Sequence, residues 1–236
     1  MSHTLYRGVE LKRVVWILLI VSVIGASTWG CDSVSSGVEM DRYSIVVDAG
    51  HGGVDSGTIG VVTSNKESDL NLLIANALGE YLRQAGVKVT YTRQTKEGLY
   101  GELTNGFKMR DMQARRDIIT SANPDIVVSI HLNKFAIPSR RGVQVYYQTG
   151  RDRGETLASS IQDIFNTHVN LPQSGRGYEA QRGDFYMCRC VSVPACIVEC
   201  GFLSNPDDDR LLDTAEYRDK IAYYIYAGIM NYLMKR

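Results

Sequence analysis

Four side chains carry the chemistry in this sequence: His51, Glu67, His131 and Glu199. His51 stands in the glycine-rich turn Asp48, Ala49, Gly50, His51, Gly52, Gly53, directly after the apolar run at 44–47. His131 follows a second apolar run at 126–130, and Glu199 follows a third at 195–198. Glu67 opens a helical pattern just after the loop beyond His51. Two neutral imidazoles and one carboxylate form a zinc set that leaves a fourth position for water, as a catalytic site requires and a closed structural site does not. Zinc brings the pKa of such a water towards roughly 7. A carboxylate outside the ligand set can then take a proton and hand it to a leaving amine. On these grounds His51, Glu67 and His131 are the candidate ligands and Glu199 the candidate base. Each residue alone has a plainer reading: a turn histidine, a solvated first-turn acid, a core histidine. Glu199 resists that reading best, because an acid ending an apolar run is costly to bury without a purpose. His3 precedes an apolar segment and His168 lies in a loop, so neither joins the set.

The elements that must hold these residues follow from periodicity. Residues 44–47 form a β-branched strand, and the glycines after it leave room for a ligand. Leu70, Leu73, Ile74, Ala77, Leu78, Tyr81 and Leu82 recur at helical spacing after an acidic first turn, and Gly86 closes that helix. Strands are predicted at 87–92, at 126–130 ending on His131, at 142–147, and at 194–198 ending on Glu199. Helices are predicted at 109–122, 155–167, 205–212 and 215–233. Residues 93–108 read as a polar surface loop over the sheet's edge, and 168–183 as irregular chain. Strands alternating with helices imply one layered α/β domain with a mostly parallel central sheet flanked by helices. In such a sheet, sites form at the carboxyl ends of the strands, which brings all four residues to one edge.

Composition narrows the classes. A chain of 236 residues with 44% hydrophobic and 22% charged residues is ordinary globular usage. Its formal net charge of zero argues against a nucleic-acid partner held by bulk electrostatics. Arg7, Lys12 and Arg13 precede an uncharged apolar run over 14–26, the pattern of a signal peptide or a short membrane anchor with the rest of the chain outside the membrane. Residues 1–36 are therefore expected to be a signal or anchor plus linker, and 37–236 the catalytic domain. Acylation of Cys31 is a third fate for this segment. Of the five cysteines, Cys196 and Cys200 lie on one strand, roughly 13 Å apart, too far to pair. Cys188 and Cys190 are expected on one strand face, where a bridge is strained. Reduced or buried thiols are the expectation.

DAGHGGVDSG at 48–57, Glu67 before an apolar helix, VSIHLN at 128–133 and VECGFLSN at 198–205 together resemble the zinc-dependent N-acetylmuramoyl-L-alanine amidases. The match runs in order from about residue 43 onward. The resemblance implies zinc on His51, Glu67 and His131, Glu199 as the catalytic carboxylate, and peptidoglycan as substrate, cut between N-acetylmuramic acid and L-alanine. Arg115 and Asn133 match positions common in the family, without an assigned role. Only residues 134–141 separate the VSIHLN motif from the next strand, which leaves no room for the regulatory helix of some cell-division amidases. The compact domain, the 93–108 loop and the apolar leader look most like the CwlD-type amidases of spore-cortex maturation. Two alternatives stay open: an amidase of general wall turnover or cell separation, and a non-catalytic, membrane-anchored wall-binding scaffold; a protein partner has no readable signal in the sequence.

Overall fold

The computed structural model describes residues 39–235. The apolar run at 14–26 and Cys31 lie outside the described residues. Among the described residues, no helix is long and apolar enough to cross a membrane.

A six-stranded sheet forms the centre, in the order β2-β1-β3-β6-β4-β5. The strands are β1 (Ser44–Ala49), β2 (Lys88–Tyr91), β3 (Ile126–Asn133), β4 (Gln144–Gln148), β5 (Gln181–Gly183) and β6 (Ala195–Phe202). β1, β2, β3 and β6 run parallel. β4 pairs antiparallel with β6, and β5 is parallel to β4. The sheet is thus mostly parallel, with a reversed edge.

Helices cover both faces. α1 (Glu67–Gln84), α3 (Asp152–Phe165) and α7 (Ala215–Met234) pack on the face that carries Ile45, Val47, Val128 and Val198. On the opposite face, Val46, Val127 and Ile197 meet Ile119 of α2 (Phe107–Ala122) and Met187 of the short α5 (Tyr186–Arg189). The central strands are buried on both sides, which is why they read as continuous apolar runs instead of alternating ones. The remaining helices are α4 (Leu171–Ser174) and α6 (Pro206–Asp213); Asn205 caps α6 by accepting from the amides of Asp207 and Asp208.

Four expectations change. β3 does not stop at His131 but runs to Asn133, and β6 continues three residues past Glu199 to Phe202. Both polar residues are tolerated inside strands because they face the site, and the ladder resumes at Asn133–Phe202 after a bulge. The strand expected at 142–147 is antiparallel, which the apolar pattern cannot reveal. Residues 168–183 are not wholly irregular: a π-turn at Asn166–Asn170 and α4 lead into β5. Cys188 lies on α5, not on a strand. Cys188, Cys190, Cys196 and Cys200 are free thiols, and burial pushes Cys188 up to about 12, so it is not a reactive nucleophile.

Candidate active site

The strand register sets the geometry. Gly50 donates from its backbone to Ile130, which ties the histidine turn to β3. His131 and Glu199 are direct partners across β3 and β6, so their side chains leave the same face of adjacent strands, about 4.8 Å apart in the pairing direction. Glu67 is the first residue of α1, and its backbone amide donates to Thr58.

Glu67 is the hub of the cluster. It is 3% exposed. Its Oε1 lies 3.1 Å from His51 Nε2 and 3.1 Å from His131 Nδ1. The Leu132 amide donates to the same oxygen and the Thr58 amide donates to Oε2 at 2.8 Å. The rings of His51 and His131 meet edge to face with centroids 5.0 Å apart. One donor atom from each of His51, Glu67 and His131 falls within 4.8 Å of the others, close enough to share one ion. The glycines are needed here: a Cβ at Gly50 would strike the His131 ring, and one at Gly57 (φ +65°) would come 2.8 Å from both the Glu67 carboxyl carbon and His51 Cδ2.

The charges respond to this crowding. Burial tends to lower the His51 pKa, but the carboxylates of Glu67 and Asp55 outweigh it and push His51 up to about 9. Burial tends to raise Glu67, and hydrogen bonds from His131 and His51 reverse that, holding it far below the usual carboxylate range. Glu199 stands apart. Burial pushes it up to about 7, against the nearby His131 charge, and its buried Oε2 has no hydrogen-bond partner. A carboxyl near neutrality with a free oxygen is suited to proton transfer.

Two buried arginines grip the turn. Arg115 is 1% exposed and donates to Asp48 Oδ1 (2.6 Å), Asp111 Oδ2 (2.6 Å), Ala49 O (2.7 Å) and His51 O (2.5 Å). Arg93 donates to Ala49 O, Gly50 O and Ser68 O, each at 2.8 Å. These contacts hold His51 at a φ of 61°, a left-handed conformation that a histidine rarely adopts alone. Asp55 Oδ2 sits 2.8 Å from His51 Nδ1 and fixes the ring, leaving Nε2 for Glu67. The 93–106 segment does not merely overhang the sheet edge: Gly53 donates to Lys96 O and Val54 to the Tyr100 hydroxyl, strapping the turn from outside. Tyr100, Phe107, Met112, Phe185 and Tyr186 wall a cleft of about 300 Å³ that opens onto His51, His131 and Glu199.

The profile of the N-acetylmuramoyl-L-alanine amidases matches residues 45–231. The chain belongs to this amidase family. It is a peptidoglycan amidase, an enzyme acting on the bond between N-acetylmuramic acid and L-alanine. A germination-specific N-acetylmuramoyl-L-alanine amidase of Bacillus subtilis (strain 168) is 35% identical over 197 residues, spanning 81% of this chain and 80% of that protein. The structure of the CwlD amidase from Clostridioides difficile, in complex with the GerS lipoprotein, superposes with a TM-score of 0.78 at 33% identity, covering 83% of this chain and 100% of that one. The catalytic domain of the amidase CwlV from Bacillus (Paenibacillus) polymyxa gives 0.68 at 26% identity, covering 82% and 99%.

The structure brings all four sequence-predicted residues of this amidase together. Sequence reasoning missed Asp55, Arg93 and the task of Arg115. Asp55 carried a signal, a carboxylate four residues after a turn histidine. Arg93 carried none, because its partners are backbone carbonyls; Arg115 carried only its four-residue spacing from Asp111, which does not reveal the bonds to Asp48, Ala49 O and His51 O. His168, set aside on sequence, stacks on Tyr224 away from the cluster, with centroids 5.0 Å apart.

Proposed function

We propose that this amidase is zinc-dependent, that His51, Glu67 and His131 are its metal ligands, and that Glu199 is its proton carrier. The observation that carries this reading is the meeting of three donor atoms within 4.8 Å, with Glu199 as the strand partner of His131. The donor set fits zinc: two imidazoles and one carboxylate, with an uncommitted carboxyl oxygen beside them. When bound, zinc would acidify water and polarise the scissile carbonyl. Glu199 takes a proton from the attacking water at Oε2 and delivers it to the departing L-alanine nitrogen. Asp55 orients the His51 ring, and the Thr58 and Leu132 amides hold the Glu67 carboxylate in place. The aromatic walls of the cleft exclude bulk water from the reacting amide.

The finer biology belongs to the same proposal. Likeness to a germination-specific amidase and to the CwlD fold supports a role in spore-cortex maturation, on the way to muramic-δ-lactam. The peptidoglycan substrate supports an extracytoplasmic location, and the residue pattern at 1–36 supports a signal or anchor ahead of the catalytic domain. The CwlD structure contains a lipoprotein, which supports a protein partner here as well.

Glu199→Gln tests the assignment. Turnover on purified peptidoglycan is expected to fall by about 10²–10⁴-fold with the zinc content unchanged. Near-normal activity would refute the role of Glu199. Mass spectrometry of the wild-type digest should find free lactyl groups and stem peptides beginning at L-alanine; cleavage elsewhere would refute the amidase assignment.

A further inference from the structure

A second groove, of about 360 Å³, is lined by Phe135, Ile137, Arg140, Arg141, Arg176 and Tyr178, with Ser139 and Ser174. Its charge is one-sided. The loop at 134–141 carries Lys134, Arg140 and Arg141 and no acid. Arg141 is committed, pairing with Asp207 at 3.1 Å and Asp208 at 3.2 Å. Arg140 and Arg176 make no ion pair among the described residues. The Arg140 guanidinium is held between aromatic rings, 4.9 Å from the Phe135 centroid and 5.8 Å from that of Tyr178. Its Nε is buried without a hydrogen-bond partner. A planar cation fixed on aromatic faces with an unmet donor is a preorganised receptor for a carboxylate fork.

Its place in the fold gives it a task. The loop continues directly from β3, eight residues from His131 to Ser139. Tyr146 of β4 meets Phe185 of the cleft wall edge to face with centroids 5.3 Å apart, donates to Gln144, the cross-strand partner of Glu199, and lies close enough to Arg140 to respond to its charge. The sugars of peptidoglycan are uncharged, and the lactyl carboxyl is tied up in the scissile amide. An anion beside the site therefore comes from the stem peptide, which carries free carboxylates beyond its first alanine.

Resting on the amidase assignment, we propose that Arg140 and Arg176 form a subsite for a carboxylate of the stem peptide, anchoring the leaving-group side of the substrate next to the cleft.

The test compares two defined muramoyl-tetrapeptide substrates, one with free carboxylates and one fully amidated, on the zinc-loaded full chain. The wild type is expected to show a KM about tenfold lower for the free acid, the effect of one charge-assisted hydrogen bond. Arg176→Ala, an exposed change that cannot disturb the fold, and Arg140→Gln should each remove most of that preference. The KM for the amidated substrate should change much less than that for the free acid in both variants. Equal KM values in the wild type, or variants that weaken both substrates alike, would overturn the subsite. Calorimetric binding of the released tetrapeptide needs no turnover and keeps the two readings apart. Weaker binding in the arginine variants supports the subsite even if neither substrate is cut, an outcome that would sink the amidase assignment alone. Peptide binding unchanged in both variants, or inorganic phosphate displacing the peptide with higher affinity, would overturn the carboxylate assignment.

Discussion

At the level of single residues, chemistry depends on how few freedoms His51, Glu67 and His131 retain. Each imidazole in the cluster is locked by a neighbour, and Glu67 is held by two backbone amides, Thr58 from the loop after β1 and Leu132 from β3. Asp55 is the contact most open to experiment: it fixes the His51 ring from a partly exposed position, where its other charged partner is the exposed Lys108. Asp55→Ala should weaken zinc binding by about 10–100-fold, the usual cost of losing such an orienting carboxylate. Chelator competition measures this. Asp55→Asn retains an acceptor for the ring nitrogen and should recover much of the loss. An Asp55→Ala protein with unchanged zinc affinity would mean that the Arg115 and Glu67 contacts alone orient the ring.

Among the elements, the turn between β1 and α1 depends on a buried ion pair that also joins β1, α2 and β3. Burial alone would raise Asp48. The Arg115 charge and the hydroxyls of Ser129 and Thr92 outweigh it and hold Asp48 at about 2, below its ordinary 3.8. The stabilisation from this lowered carboxyl is complete above pH 3.8 and is lost as the pH falls through about 2. Unfolding midpoints in denaturant should therefore fall in that acid window, and more steeply in the wild type than in Asp48→Asn. At neutral pH, Asp48→Asn leaves Arg115 buried with a weaker partner and should cost up to about 3–5 kcal/mol, as removal of one member of a buried pair does. Equilibrium urea unfolding reads this directly. Because Arg115 also bonds to His51 O, zinc affinity should drop in the same variant.

For the molecule as a whole, a site assembled from β1, α1, β3 and β6 exists only in the folded chain, so ligand binding and folding are coupled. Zinc at a hundredfold its dissociation constant should add about 2.7 kcal/mol of stability. For a domain of this size that corresponds to a rise in Tm of about 5–10 °C, reversed by a chelator and visible by calorimetry. Glu67→Gln should abolish most of the rise, since it removes the central carboxylate. The apolar runs, the glycine turn and the acidic helix start were legible in the sequence because burial on both sheet faces and backbone sterics act locally. They are enough to specify an α/β layer with His51, Glu67, His131 and Glu199 at one edge. Only the tertiary structure decided that β4 is reversed, that His131 and Glu199 lie inside their strands as cross-strand partners, and that Arg93 and Arg115 cage the turn. Those features depend on register and on carbonyl oxygens brought together across tens of residues, and a backbone carbonyl has no letter in the sequence.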